Sequence, residues 1–264
     1  DVVGTASKEI CFDAVDVDII NNTIANNDST ATASQALNTD LLSSVPRGAG
    51  IVAYKHSQGL RAVYAGKSYS NPKLRNNIVW HNRSFHWQMS GVGDGTGELV
   101  PDPSTPNYND FEVWGTNSQK WLKPKFSVIS DTSVAGAPYG DANMHNSDGD
   151  PEFVDAYHNG PRDSLVQVEF KLSNGPIYSA VAFDEGGNFI DIDFGPLKPV
   201  GNYHIEANSS AVTINGAAAP VNANTLLQID YDGEPRGGSN PIDAGADEFT
   251  VSAGALCGLG FEAA

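Results

Sequence analysis

Apolar and polar positions alternate in short bursts along this chain, and corners rich in Asn, Gly and Ser separate the bursts. Residues 12–20 read Phe-Asp-Ala-Val-Asp-Val-Asp-Ile-Ile, with Val15, Val17 and Ile19 on one face and Asp16 and Asp18 on the other. That is the two-residue period of a half-buried strand. Asn21-Asn22 then turns the chain into Thr23-Ile24-Ala25, and Asn26-Asn27-Asp28 turns it again. The pattern returns 55 residues later as Asn76-Asn77-Ile78-Val79-Trp80-His81-Asn82. Asn accepts left-handed backbone angles at a corner, and its amide can hydrogen-bond to an equivalent Asn on the next strand.

Further strands are predicted at Gly48 to Tyr54, Phe111 to Trp114, Phe126 to Ile129 and Glu152 to Asp155. Residues 28–47 and 57–72 are polar and read as protruding loops. The segment 88–110 is rich in Gly, Pro, Asp and Thr and predicts a long lateral loop. From Leu165 the strands lengthen: 166–172 and 177–183 alternate cleanly, and Asp184 to Asn188 turns into 189–194, an antiparallel hairpin or longer strands. Residues 202–205 and 211–214 return to the short-strand pattern. The predicted organisation is therefore 1–164, short coils with inserted loops; 165–249, longer strands and terminal coils; and 250–264, a Gly- and Ala-rich tail.

Composition points the same way. The 264 residues include 27 Gly and 15 Pro with 40% hydrophobic residues, which suits an all-β chain with many corners. No apolar run approaches the roughly 20 residues that span a bilayer. The net charge of −17 disfavours nucleic acid and anionic membranes as partners and favours divalent cations. The start at Asp1, without Met or signal peptide, reads as a mature or proteolytic product, and secretion is inferred from composition. Cys11 and Cys257 lie near opposite ends, with no Cys-x-x-Cys pair for zinc or haem. An internal disulfide, an intersubunit disulfide and two free thiols all remain open.

One stretch carries a resemblance. Tyr203-His-Ile205, Ser209 to Thr213, Asp230-Tyr-Asp-Gly-Glu-Pro-Arg236 and Ile242-Asp-Ala-Gly-Ala-Asp-Glu-Phe249, with the two Asn-rich repeats upstream, resemble the closing region of a bacterial right-handed parallel β-helix, a pectate-lyase-like secreted or surface protein. The resemblance implies an all-β, irregular right-handed parallel β-helix, with 230–233 closing a turn. It is specific for fold and carries little about chemistry.

Candidate chemistry is sparse. Asp16/Asp18 and Asp191/Asp193 are i, i+2 pairs about 6.5–7 Å apart along a strand, a spacing for acid–base work on a glycosidic bond or simply a solvent face. Asp141, Asn143, Asn146, Asp148 and Asp150 gather oxygen ligands around Gly149, either a calcium loop or a set of Asx turns. Trp80, Phe85 and Trp87 offer rings for stacking on a sugar or anchoring an interface, or else cap the core beneath the lateral loop. No phosphate-binding glycine loop and no Cys-x-x-Cys-His attachment occurs, so nucleotide and haem are not expected; no His-x-His pair offers a copper or zinc site, and calcium is the one candidate cofactor. Basic residues show no persuasive cluster.

The expected function is that of an extracellular or bacterial cell-surface, non-catalytic structural or adhesive protein, self-assembling or coating a larger assembly. Its partners would be other protein subunits or extracellular polysaccharide. The competing readings are a polysaccharide lyase or hydrolase, and a carbohydrate-binding module.

Overall fold

The computed structural model describes residues 15–29, 31, 42–89, 97–101, 108–156, 202–214, 228–236 and 242–249. In chain order the strands are β1 (Asp18–Ile20), β2 (Thr23–Ala25), β3 (Asp28–Ser29), β4 (Ile51–Tyr54), β5 (Lys73–Arg75), β6 (Ile78–Trp80), β7 (Arg83–Met89), β8 (Gly97–Pro101), β9 (Phe111–Trp114), β10 (Val128–Ile129), β11 (Phe153–Asp155) and β12 (Asn202–Ile205). Among the described residues two short helices join them, α1 (Gln58–Val63) and α2 (Ser210–Thr213). Among the described residues no helix is long and apolar enough to cross a membrane.

The 55-residue spacing reappears as parallel strand pairing. β1 pairs with β5 (Ile19 opposite Leu74), β2 with β6 (Ile24 opposite Val79) and β3 with β7 (Asp28 opposite Arg83). The corners between them need left-handed backbone, which Asn21, Asn26 and Asn76 adopt at φ of 57°, 59° and 51°. Beside each pair runs an amide bond: Asn77 Oδ1 accepts the Asn22 backbone N–H at 2.9 Å, and Asn82 Oδ1 accepts the Asn27 side-chain amide at 2.9 Å. Each of these amides satisfies backbone or side-chain groups that burial would otherwise strand.

The expected continuous β-helix is corrected. The described strands form five small sheets of two or three strands, pairs of parallel strands and two antiparallel pairings rather than one stacked solenoid. The reason lies in where the last segment goes. In a solenoid, the closing residues would add coils beyond the previous ones. Here Gly245 N–H donates to Asn76 O at 2.8 Å, and Ala246 N–H donates to Thr23 Oγ1 at 3.0 Å, so 242–249 lies across β2 and β6 near the start of the chain. β6 is consequently buried on both faces. Val79 joins a cluster with Ala53, Leu74, Phe111, Leu122, Ile129 and Tyr139, whereas Ile78 and Trp80 join Val128, Ile205, Ala211 and Ala244. The resemblance to a bacterial β-helix family falls with the solenoid.

Three local expectations also change. Part of the lateral loop is strand β8, paired antiparallel with β7 from Phe85–Pro101 to Met89–Gly97. Residues 210–213 are helical rather than extended because Ser209, fully buried, accepts the Ala211 N–H at 3.0 Å and caps the turn. The polar segment 57–72 holds α1, capped by Ser57 Oγ on the Leu60 N–H at 3.2 Å, with no buried residue of its own. The predicted strands at 166–194, including the hairpin, and the 250–264 tail lie outside the described residues.

Candidate functional site

β5 places Lys73 and Arg75 on one side of its strand, with Leu74 turned into the core. Residues 123–125 run alongside: Lys125 N–H donates to Leu74 O at 3.1 Å, and Asn76 N–H donates to Lys125 O at 3.1 Å. A parallel bridge sets Lys125 opposite Arg75. The result is a groove of about 340 Å³ lined by Asn71, Pro72, Lys73, Leu74, Arg75, Lys123 and Lys125. Four of the chain's 15 Lys and Arg residues thus line one groove of a protein with a net charge of −17, and no carboxylate is among its lining residues. Asp18 pairs with Lys73 Nζ at 3.2 Å at the rim. Arg75 lies with its guanidinium carbon 5.5 Å from the Phe126 ring centroid, and Phe126 stacks on His145.

Sequence reasoning missed this cluster. Lys73 and Arg75 are 50 residues from Lys123 and Lys125 along the chain. The only signal was the rarity of cations in so acidic a sequence, which makes any gathering of them conspicuous once the fold is known.

The described carboxylates singled out by sequence each engage a partner of their own. Asp16 adopts a left-handed corner, φ 58°, and pairs with Lys67 at 2.7 Å, which holds its carboxyl below the ordinary range. That corner breaks the strand expected over 12–20: only Asp18–Ile20 is extended among the described residues, and Val17 is exposed. Asp18 pairs with Lys73 instead. Asp191, Asp193, Cys11 and Cys257 lie outside the described residues.

The oxygen-rich loop is organised as separate turns. Asp141 accepts from both the backbone N–H and the amide of Asn143 at 2.8 Å, hydrogen bonds that lower its carboxyl pKa. Asn146 accepts from Ser127 N–H and donates to Pro124 O and Tyr139 O. Asp148 accepts from Thr132 Oγ1, and Asp150 from Glu152 N–H. Of the aromatic candidates, Trp80 and Phe85 are buried, while Trp87 is half-buried with its backbone N–H donating to Ser44 Oγ.

A second polar centre joins three segments at the C-terminal side. His204 Nε2 lies 2.6 Å from Asp232 Oδ2, its Nδ1 contacts Asn202 Oδ1, and the Tyr231 hydroxyl reaches the same ring. Asp247, buried, accepts the Ile205 N–H at 2.8 Å. Among the described residues, His204, Asp232 and Asp247 are the one group of three His, Cys, Asp or Glu ligand atoms within 4.8 Å of one another. Both ring nitrogens already have partners, so the group ties β12 to the two closing turns. Beneath it Arg236 is almost buried and donates to the carbonyls of Ile229, Gly245 and Ala246. Asp230 closes its turn by accepting from Asp232 N–H and Glu234 N–H.

Burial sets the pH response. Desolvation pushes the Asp243 carboxyl up to about 7 and Asp110 up to about 6, and raises Asp247 as well. An unfolded Asp titrates near 3.9. Between these values the native state holds protons that the unfolded chain has lost, so stability falls as pH rises. Urea unfolding at pH 5 is expected to give a free energy on the order of 3 kcal/mol higher than at pH 8. Asp243→Asn should flatten that slope. A stability that climbs from pH 5 to 8 would mean that these carboxylates stay ionised in the native state, Asp243 held so by Arg236.

Compared with known proteins, the chain matches no family model, and neither a curated protein nor a solved structure is significantly similar to it.

Proposed function

We propose that this is an extracellular, non-catalytic structural or adhesive protein. One observation supports this reading above others: the described carboxylates that were candidates for chemistry are committed to local structure. Asp16 and Asp18 hold lysines on separate segments, and Asp141 and Asp150 accept from neighbouring backbone N–H groups. Acid–base hydrolysis needs two carboxyls facing one substrate bond. Side chains that instead stitch turns and strands together suit a rigid surface for contact. The acidic surface keeps such a surface soluble and selective for its partners.

Light scattering after size-exclusion chromatography, with negative-stain imaging, tests the reading. Runs with and without calcium and reductant separate the roles of the 141–150 loop and of the two cysteines. Ordered oligomers, or retention on an extracellular glycan without its cleavage, support it. Release of reducing ends or unsaturated uronates from a polysaccharide overturns it in favour of a lyase or hydrolase.

A further inference from the structure

We infer that the groove formed by Lys73, Arg75, Lys123 and Lys125 binds an acidic polysaccharide, one whose sugars carry carboxylate or sulfate groups. The inference builds on the adhesive reading and names the surface it would use. Three observations carry it. First, the cations are concentrated: four of 15 line one groove without a carboxylate, against a net charge of −17. Holding like charges together raises the free energy of the unliganded protein, and an anion entering the groove relieves it.

Second, the cations form a row rather than a cradle. Lys73 and Arg75 are i, i+2 on β5, about 6.5–7 Å apart, and Lys125 stands on the neighbouring segment about 4.8 Å away. Such a row meets charges repeated along a polymer. A single phosphate would be served better by converging N–H groups.

Third, Arg75 is held in place but not used up. Its strand is fixed between β1 and residue 125, and its guanidinium lies against Phe126. Its Nε is buried with no hydrogen-bond partner among the described residues. A positioned guanidinium presents a planar fork suited to carboxylate or sulfate oxygens. Lys123 and Lys125 are exposed, and neither pairs with a carboxylate among the described residues. Lys73 would exchange Asp18 for the ligand at the rim. Acids that act on these cations are Asp18, paired with Lys73, Asp16, which also feels the Lys73 charge, and Asp141, which feels the Lys125 charge. The lining has no aromatic ring on which a base could stack, so single-stranded nucleic acid fits less well.

Fluorescence anisotropy with labelled polygalacturonate tests this, using the full chain at 50 and 200 mM salt. Heparin, neutral dextran, a single-stranded oligonucleotide and monomeric galacturonate serve as competitors. The expected result is saturable binding that weakens with salt, is displaced by heparin, and is indifferent to dextran and to the monomer at equal charge concentration. Arg75→Gln should weaken binding by about tenfold, the loss of one charge-assisted contact, and Arg75→Lys should restore part of it. The exposed pair Lys123→Glu/Lys125→Glu should abolish binding while leaving urea unfolding unchanged, which separates a lost site from a lost fold.

Binding that is unaffected by Lys123→Glu/Lys125→Glu overturns the groove while leaving the adhesive reading intact. So does displacement by the oligonucleotide in preference to heparin, which would make the groove a nucleic-acid site, or by the monomer at equal charge. Polymer that binds in the groove and is then cleaved keeps the groove and overturns the non-catalytic reading.

Discussion

Asn82→Ala is expected to lower the unfolding free energy by on the order of 3–5 kcal/mol, an unusually large effect for one polar side chain. Asn82 is fully buried, and its amide makes four hydrogen bonds. Oδ1 accepts from the Asn27 backbone at 3.2 Å and the Asn27 amide at 2.9 Å. Nδ2 donates to Ile24 O at 3.0 Å and to Asp110 Oδ1 at 2.9 Å. Alanine removes all four at once and opens a cavity between β2, β6 and residue 110. Asp110 in turn accepts the Ser130 N–H at 2.8 Å, so the disturbance reaches the segment after β10.

Asn82→Asp sharpens the test. It keeps the acceptor but turns a carboxylate toward Asp110 and the Ile24 carbonyl. That repulsion eases when one carboxyl is protonated, and Asp110 already titrates at about 6. Asn82→Asp should therefore be more damaging at pH 8 than at pH 5. Urea midpoints at the two pH values provide the measurement. A loss below about 1 kcal/mol for Asn82→Ala would show that water replaces the amide without cost and that the buried network does not hold the fold.

The second large effect is expected at Gly245. Its φ is +101°, and a Cβ there would come within 2.6 Å of Ile78 Cδ1 and 2.9 Å of Thr23 Oγ1. The backbone has no freedom to withdraw. Gly245 N–H is bonded to Asn76 O, its carbonyl accepts from Arg236, and the next N–H is bonded to Thr23. Strain at φ and overpacking of a closed site each cost about 1–3 kcal/mol, so Gly245→Ala should lose roughly 3–4 kcal/mol.

Gly66 provides the control. It has φ +91° but open space around the added atom, so Gly66→Ala should lose only the conformational part, about 1–2 kcal/mol. Ile78→Val removes the nearest clashing atom and should recover part of the loss in the Gly245→Ala background. A double-mutant cycle by thermal or urea unfolding reads this directly. Equal losses at Gly245 and Gly66 would mean that 242–249 does not sit tightly on β6.

Much of the local structure was legible from residue types. Asn21, Asn26 and Asn76 mark left-handed corners because Asn adopts that backbone at little cost. The strands at 111–114, 153–155 and 202–205 follow from β-branched and aromatic residues in short alternating runs. Segments 97–101 and 210–213 were misread, because a hairpin partner and a buried Ser209 cap overrode weak local preference. The burial of Trp80 and Phe85 was equally hidden. An aromatic beside a polar corner suits an exposed platform and a capped core alike, and only the neighbouring elements distinguish them.

The chain by itself determined its short parallel pairings, its amide bonds at a 55-residue spacing and its acidic surface, since each depends on residues that repeat or sum along the sequence. Tertiary structure alone decided that 242–249 folds back over β2 and β6 instead of extending a stack. It also decided that Lys73 and Arg75 meet Lys123 and Lys125. Both are contacts between distant segments. Loop-closure entropy depends only weakly on separation, so the choice of partner rests on the packing of whole faces, which no local pattern encodes.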